Sequence, residues 1–402
     1  MPLRSLQAIC LMSFFLADVR DGLGPFLGIF LTQHQWQADD IGLVMSAGGI
    51  AGLLVTIPAG IVVDATLRKR LLIIAGCVLI TAATLLLWFN HQAWAAGLSQ
   101  VVTGISAAFI GPAVAGITLG VAGQSGFNRQ MGRNEAFNHG GNMTAALLAG
   151  AASWYWGTGS IFILMTGMAV LAALAVSAIR EQDIDHHAAR GLESGAKEQA
   201  VPRLSILAKN PVLAVTGLTL LLFHLANAAL LPMLSMRVTA SGSNAINPGL
   251  YAAATVVISQ CVMIPVALFT SARAEKVGYR GLIMIALLVL PVRAALAAWF
   301  SEPISVIPVQ VLDGVAAGIL GVAVPGYVVK LLRGTGHVNA GQSVVMFMMG
   351  AGAAFSPALT GAIATRYSYS VAFAVLGVIA LAALLLWSLA GRGHQEAIHQ
   401  PE

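Results

Sequence analysis

The sequence predicts an all-α membrane protein in which twelve transmembrane helices form two pseudo-symmetric bundles of six. Three observations carry that expectation. Of the 402 residues, 58% are hydrophobic and only 9% charged, a balance far from that of a soluble domain. Apolar stretches of at least 18 residues recur from end to end, and each can cross a hydrocarbon core of about 30 Å as a helix that satisfies its own backbone. Landmarks of the first half return in the second about 210 positions later, the mark of an internally duplicated chain.

The first span, 5–31, carries internal charges and lacks a small-residue cleavage site after a short apolar core, so it reads as a retained helix rather than a signal peptide. Spans two and three, 40–63 and 71–90, are apolar runs on either side of the charged segment DATLRKR. Span four covers 95–122, and the polar stretch GQSGFNRQMGRNEA is expected to loop before span five at 137–157. Span six, 160–179, ends at the one long polar interruption, REQDIDHHAARGLESGAKEQAVPRLSILAK. Spans seven to twelve follow at 210–236, 250–271, 281–300, 304–330, 341–365 and 370–391. The expected organisation is therefore a bundle at 1–180, a cytoplasmic linker at 181–209 and a second bundle at 210–402. Asp183, Asp185, His186 and His187 in the linker read as a solvated stretch rather than a metal site.

Lysine and arginine set the orientation. With the amino terminus in the cytoplasm, 17 of the 21 fall in cytoplasmic segments, Arg237 and Arg366 lie outside, and Arg20 and Arg293 lie within spans. That asymmetry places both termini in the cytoplasm, in a multi-pass protein of the bacterial inner membrane. It also accounts for the net charge of +5 without a nucleic-acid partner. Cys10, Cys77 and Cys261 sit in separate spans with no paired spacing, as small core residues do.

The repeat is explicit. GIVVDATLRKR follows span two and SARAEKVGYR follows span eight, with Asp64 and Glu275 separated by 211 positions. QVVTGISAAFIGPAV begins at Gln100 in span four and QVLDGVAAGILGVAV at Gln310 in span ten, an offset of 210. LADVRDGLGPFL and LANAALLPML form a weaker third pair, aligned on Pro25 and Pro232.

The two loops resemble the signature loop of the major facilitator superfamily: a glycine, three residues, an acid, then basic residues. Gly60, Asp64, Lys69 and Arg70 match in the first copy, with Ala65 and Leu67 departing from it. Glu275, Lys276, Gly278 and Arg280 match in the second, where Ser271 replaces the leading glycine. The resemblance covers nearly the whole chain and implies the major facilitator fold, with these eight residues latching the halves as a gate rather than holding substrate. Gln100, before Gly104, stands where drug and proton antiporters of the family carry an arginine.

A charge at the bilayer centre costs at least about 2.5 to 3.5 kcal/mol on insertion scales, so each needs a partner, a water-filled cavity or a task. Asp18 and Asp21 share a helix face while Arg20 points away from Asp18. Two close carboxylates in low dielectric cannot both ionise cheaply, so one can carry a proton; alternatively Arg20 and the acids neutralise one another. Gly22, Gly24 and Pro25 let the helix bend there. Asp313 follows Gln310 by one turn, and a buried Arg293–Asp313 pair is the economical expectation, the alternative being Arg293 as ligand for an anionic substrate.

Asn138, His139 and Asn142 in span five, and His224 and Asn227 in span seven, are candidate cavity groups, the histidines able to relay protons or simply to pack. Met346, in VVMFMMGAG, suits a permissive apolar wall or lipid-facing packing. Small residues in SAGGIAG and DGVAAGILG predict close helix contacts that allow one half to rock against the other.

The function expected is proton-coupled secondary transport by alternating access, an efflux antiporter for a small amphipathic compound, with Asp18, Asp21 and Asp313 coupling protons. Substrate contacts are expected from Arg20, Gln100, Asn138, His139, Asn142, His224, Asn227, Arg293, Gln310 and Met346. Uptake of a polar or anionic metabolite is the alternative within transport, and a non-transporting membrane sensor the alternative outside it. There is no nucleotide-binding GxxxxGKS loop and no catalytic or metal-ligand constellation. Neither enzyme activity nor a cofactor is expected, and the partners are a small molecule, protons and lipid around a monomer.

Overall fold

The computed structural model describes residues 3–20, 23–186, 210–242, 246–332 and 338–390. Asp21 and His187 lie outside the described residues. The helices in chain order are α1 (Leu3–Arg20), α2 (Pro25–Gln33), α3 (Ala38–Ala65), α4 (Lys69–Phe89), α5 (Ala93–Trp156) and α6 (Ser160–Ser177). The second half holds α7 (Pro211–Asn227), α8 (Leu230–Ala240), α9 (Pro248–Val277), α10 (Tyr279–Trp299), α11 (Val306–Leu331), α12 (Val338–Arg366) and α13 (Tyr369–Ala390). Among the described residues no strand is present, and ten helical segments are long and apolar enough to cross a bilayer.

Two expected elements differ from those observed. The first and seventh spans are each broken: α1 gives way to α2 around Gly24, which has φ +49°, and α7 to α8 between Asn227 and Leu230. Pro25 opens α2 and Pro232 lies in the first turn of α8, positions where a missing N–H is tolerated because no intrahelical partner exists for it. The second difference is the loop expected between spans four and five. Helix continues from Ala93 to Trp156, interrupted only at Gly123 (φ +68°, ψ 171°). Polarity marks where a helix leaves lipid, but it does not end the helix; a left-handed glycine does turn the chain.

Contacts group the chain into two compact units. The first comprises Met1–Gln35, Ala47–Gln199 and Asn244–Ala253, the second Trp36–Ser46, Ala200–Ser243 and Ala254–Glu402. Inside the first, α1 packs on α5 and α6, and α4 on α5 and α6. Inside the second, α7 packs on α12 and α13, and α10 on α11 and α13. These are the same pairings one repeat apart, so the two bundles are pseudo-symmetric in packing as well as in sequence.

The small-residue stretches make the expected close contacts. A Cβ on Gly48 would lie 2.7 Å from the Gln100 carbonyl oxygen, and one on Gly52 2.9 Å from that of Gly104. In the second unit, a Cβ on Gly314 would meet the Ser259 carbonyl oxygen at 2.5 Å and the Val262 Cβ at 2.7 Å. Gly104 and Gly314 are 210 positions apart. Only glycine lets these backbones touch.

The start of the linker departs from a solvated stretch. Glu181–Asp183 form a 3-10 turn, Ile184 is buried, the Ser5 hydroxyl donates to Asp183 at 2.6 Å, and the Asp185 amide donates to the Gly120 carbonyl at 3.0 Å. Burial of Ile179 and Ile184 in the first core explains why these residues dock.

Candidate functional site

Ionisable and amide side chains converge in the second unit. Arg293, on α10, is 1% exposed, and its guanidinium lies 2.8 Å from the carboxylate of Asp313 on α11. The same guanidinium donates to the Asn227 side-chain oxygen at the end of α7, to the Val309 carbonyl at 3.2 Å, and to the Gln310 side-chain oxygen at 3.4 Å. The Ser259 hydroxyl of α9 donates to the second oxygen of Asp313 at 2.7 Å. Four helices thus place a polar cluster in an apolar bundle. A guanidinium stays charged, so burial requires the compensation these partners provide.

The cluster is satisfied on the arginine but incomplete elsewhere. Gln310 is fully buried and its amide nitrogen lacks a hydrogen-bond partner among the described residues. Asp313 retains 14% side-chain exposure, against 1% for Arg293. His224, one turn before Asn227, stands half-buried with Nδ1 3.1 Å from the Leu220 carbonyl oxygen and its ring against Phe223. That contact makes Nδ1 the donor and leaves Nε2 as the acceptor.

The first unit holds a neutral counterpart that sequence reasoning missed. The Gln130 side-chain amide donates to the Leu6 carbonyl at 3.1 Å, to Cys10 Sγ at 3.2 Å and to the Asn134 oxygen at 2.9 Å, while Asn134 donates to the Thr118 hydroxyl at 3.0 Å. Above this network lies a cavity of ≈ 80 Å³. Leu16 and Arg20 come from α1, Ile110 and Val114 from the first arm of α5, and Asn134 and Asn138 from its second arm. Met131, Asn134, Glu135 and Asn138 recur at the spacing of one helix face. That stripe is legible in RQMGRNEAFN, yet it stays hidden once the segment is taken for a loop.

The remaining candidates are dispersed. Asp18 is half-buried and Arg20 exposed at the rim of the cavity. His139 and Asn142 are half-buried, and the His139 Nδ1 is buried without a hydrogen-bond partner among the described residues. Gln100 is half-buried beside Gly48, and Met346 is 68% exposed.

In the signature loops Asp64, Glu275 and Lys276 are exposed. Lys69 folds back to cap the end of α3, donating to the Val63 and Thr66 carbonyls at 2.7 and 2.8 Å. Arg70 donates to the Ile179 carbonyl at 2.5 Å and pairs with Glu181, tying the loop to the end of α6. Its repeat partner Arg280, just after Gly278 (φ +90°), donates to the Trp387 carbonyl at 2.9 Å and lies over the Trp387 ring near the end of α13. Each loop arginine fastens the last helix of its own unit.

Comparison with known proteins fits this architecture. A family model described as the Major Facilitator Superfamily matches residues 9–340 and 262–401. Two sequences from Mycobacterium tuberculosis strains, both described as uncharacterized MFS-type transporters, are 38% identical over 392 residues, covering 97% of this chain and 93% of theirs. Among solved structures, a mutant form of the nucleoside transporter NupG is similar with a TM-score of 0.79 at 14% identity, over 96% of this chain and 99% of that one. A bacterial homolog of the human lysosomal transporter Spinster, inward-facing and unoccupied, is similar with a TM-score of 0.77 at 12% identity, over 98% of both chains. The chain belongs to the Major Facilitator Superfamily and is a multi-pass membrane transporter rather than an enzyme.

Proposed function

We propose that the protein is a proton-coupled secondary transporter working by alternating access, and that the Arg293–Asp313 pair is its proton-linked switch. One observation carries the reading: a fully buried arginine is neutralised by a carboxylate that remains 14% exposed. Asp313 can accept a proton, whereas Arg293 cannot give one up. Protonation leaves a buried cation without its counter-charge, and loss of one partner of a buried pair costs about 3–5 kcal/mol. That is comparable to the roughly 5.5 kcal/mol that takes a two-state equilibrium from 1:99 to 99:1. Proton occupancy and conformation are coupled by this cost. Asp18, beside the cavity-lining Arg20, is the second acid able to carry protons on this account.

The transported compound is small and amphipathic and its direction outward. The first-unit cavity supports the compound class, since Leu16, Ile110, Val114 and Met131 share its wall with Asn134, Asn138, Glu135 and Arg20. The signature loops serve as gates, with Asp64 and Glu275 exposed beside arginines that are anchored. Both termini face the cytoplasm of a bacterial inner membrane, and the residue 181–209 linker joins bundles 1–180 and 210–402. Uptake of an anionic metabolite is the competing reading, resting on Arg20 at the cavity rim.

The test reconstitutes the purified protein and screens compounds for substrate-dependent proton movement, comparing wild type with Asp313→Asn, Asp18→Asn and Arg20→Gln. Asp313→Asn is expected to abolish proton movement. Full coupled flux in both aspartate variants refutes the proton-linked reading, and loss of anion accumulation in Arg20→Gln alone favours uptake.

A further inference from the structure

A pair of histidines lies at the opposite end of the first unit from the Lys69–Arg70 loop, outside everything assigned so far. His34 caps the carboxyl end of α2, and His91 follows the end of α4. Their rings are in contact, with centroids 4.1 Å apart and planes inclined at 41°. His34 Nδ1 lies 2.7 Å from the Phe30 carbonyl oxygen. A carbonyl only accepts, so Nδ1 carries a proton, and in the neutral ring the lone pair open to a metal is on Nε2. A backbone carbonyl that fixes the tautomer of an imidazole is the outer-shell arrangement found behind metal-bound histidines.

The pair stands on a rigid floor. Phe30 contacts the His34 ring at 4.4 Å and the Phe162 ring at 4.8 Å, and Phe162 stacks on Trp88 at 5.4 Å and 12°. The turn beyond His34 is fixed as well, since Gln35 has φ +66°, the one left-handed non-glycine among the described residues. Electrostatics do not oppose a cation. α2, the first arm of α5 and α6 contain no Asp, Glu, Lys or Arg, and the lysine and arginine of α4 are at its far end. The nearest charges along the chain are the acids Asp39 and Asp40. His34 is half-buried and His91 exposed, so an ion reaches both from solvent.

We propose that His34 and His91 form a binding site for a divalent transition-metal ion such as Zn²⁺, with water completing the coordination shell. Imidazole nitrogen selects Zn²⁺, Cu²⁺ or Ni²⁺ over Mg²⁺ and Ca²⁺, which take oxygen ligands. Bound metal would clasp the end of α2 to the turn between α4 and α5.

The experiment is calorimetric titration of the full chain, free of any histidine tag, with Zn²⁺ and separately with Mg²⁺. Wild type is expected to bind one equivalent of Zn²⁺ and no Mg²⁺. His34→Gln and His91→Gln are each expected to lower the Zn²⁺ affinity at least about tenfold, whereas His186→Gln leaves it unchanged. A second readout uses wild type alone: Zn²⁺ should slow diethyl pyrocarbonate modification of His34 and His91 but not of His186, as read by mass spectrometry. Absence of Zn²⁺ binding, wild-type affinity in either the His34→Gln or the His91→Gln variant, or modification of the pair at an unchanged rate overturns the site.

Discussion

At the scale of single residues, the central feature is an arginine that cannot lose its charge held beside a carboxylate that can. Sequence alone names both charges and gives two uses for Arg293, as partner of Asp313 or as ligand for an anion. The geometry favours the first, because its donors are directed at Asp313, Asn227, Gln310 and the Val309 carbonyl. Ser259 stayed invisible, since a serine in an apolar helix carries no signal until a carboxylate is found opposite it. A mutant cycle tests the pair. Asp313→Leu alone should lower stability by about 3–5 kcal/mol because it strands a buried cation, whereas Arg293→Met with Asp313→Leu should recover most of that loss. Reversible unfolding in mixed micelles reads both, and a double variant as unstable as the single would show that the charges are not each other's main compensation.

At the scale of elements, the spacing of glycines does what the charges cannot. Gly104 and Gly314 occupy equivalent positions and bring the same two helices of each unit into backbone contact. Gly321, on the same α11, has open space around a Cβ. Gly314→Val should therefore cost roughly 1–3 kcal/mol through overpacking and lower the thermal midpoint, while Gly321→Ala leaves it unchanged. Similar midpoints in the two variants would show that the contact is compliant. Helix existence was legible from hydropathy, and a bend near Pro25 from its proline and glycines, whereas nothing in LANAALLPML but Pro232 hinted at the break between α7 and α8. The run through residues 124–136 was not legible, because a hydropathy window sees where lipid ends and not where a helix ends. That one misplacement concealed the Gln130–Asn134 network and the Met131–Asn138 face of the cavity.

At the scale of the whole molecule, duplication supplied two similar scaffolds and divergence gave them different interiors. One period before Arg293 and Asp313, at an offset of 210, the first unit has Ala83 and Thr103. It builds a neutral amide network instead. The repeat was readable from the loops and from Gln100 and Gln310, and with it the family; the asymmetric chemistry needed three-dimensional neighbours. In the proposed mechanism Asp313 links proton occupancy to conformation without being needed for the rocking motion itself. The direct measurement compares two activities of Asp313→Asn in proteoliposomes: exchange of labelled for unlabelled substrate at equal pH, and accumulation driven by a pH gradient. Retained exchange with accumulation abolished is the predicted result, and gradient-driven accumulation at the wild-type level would contradict it.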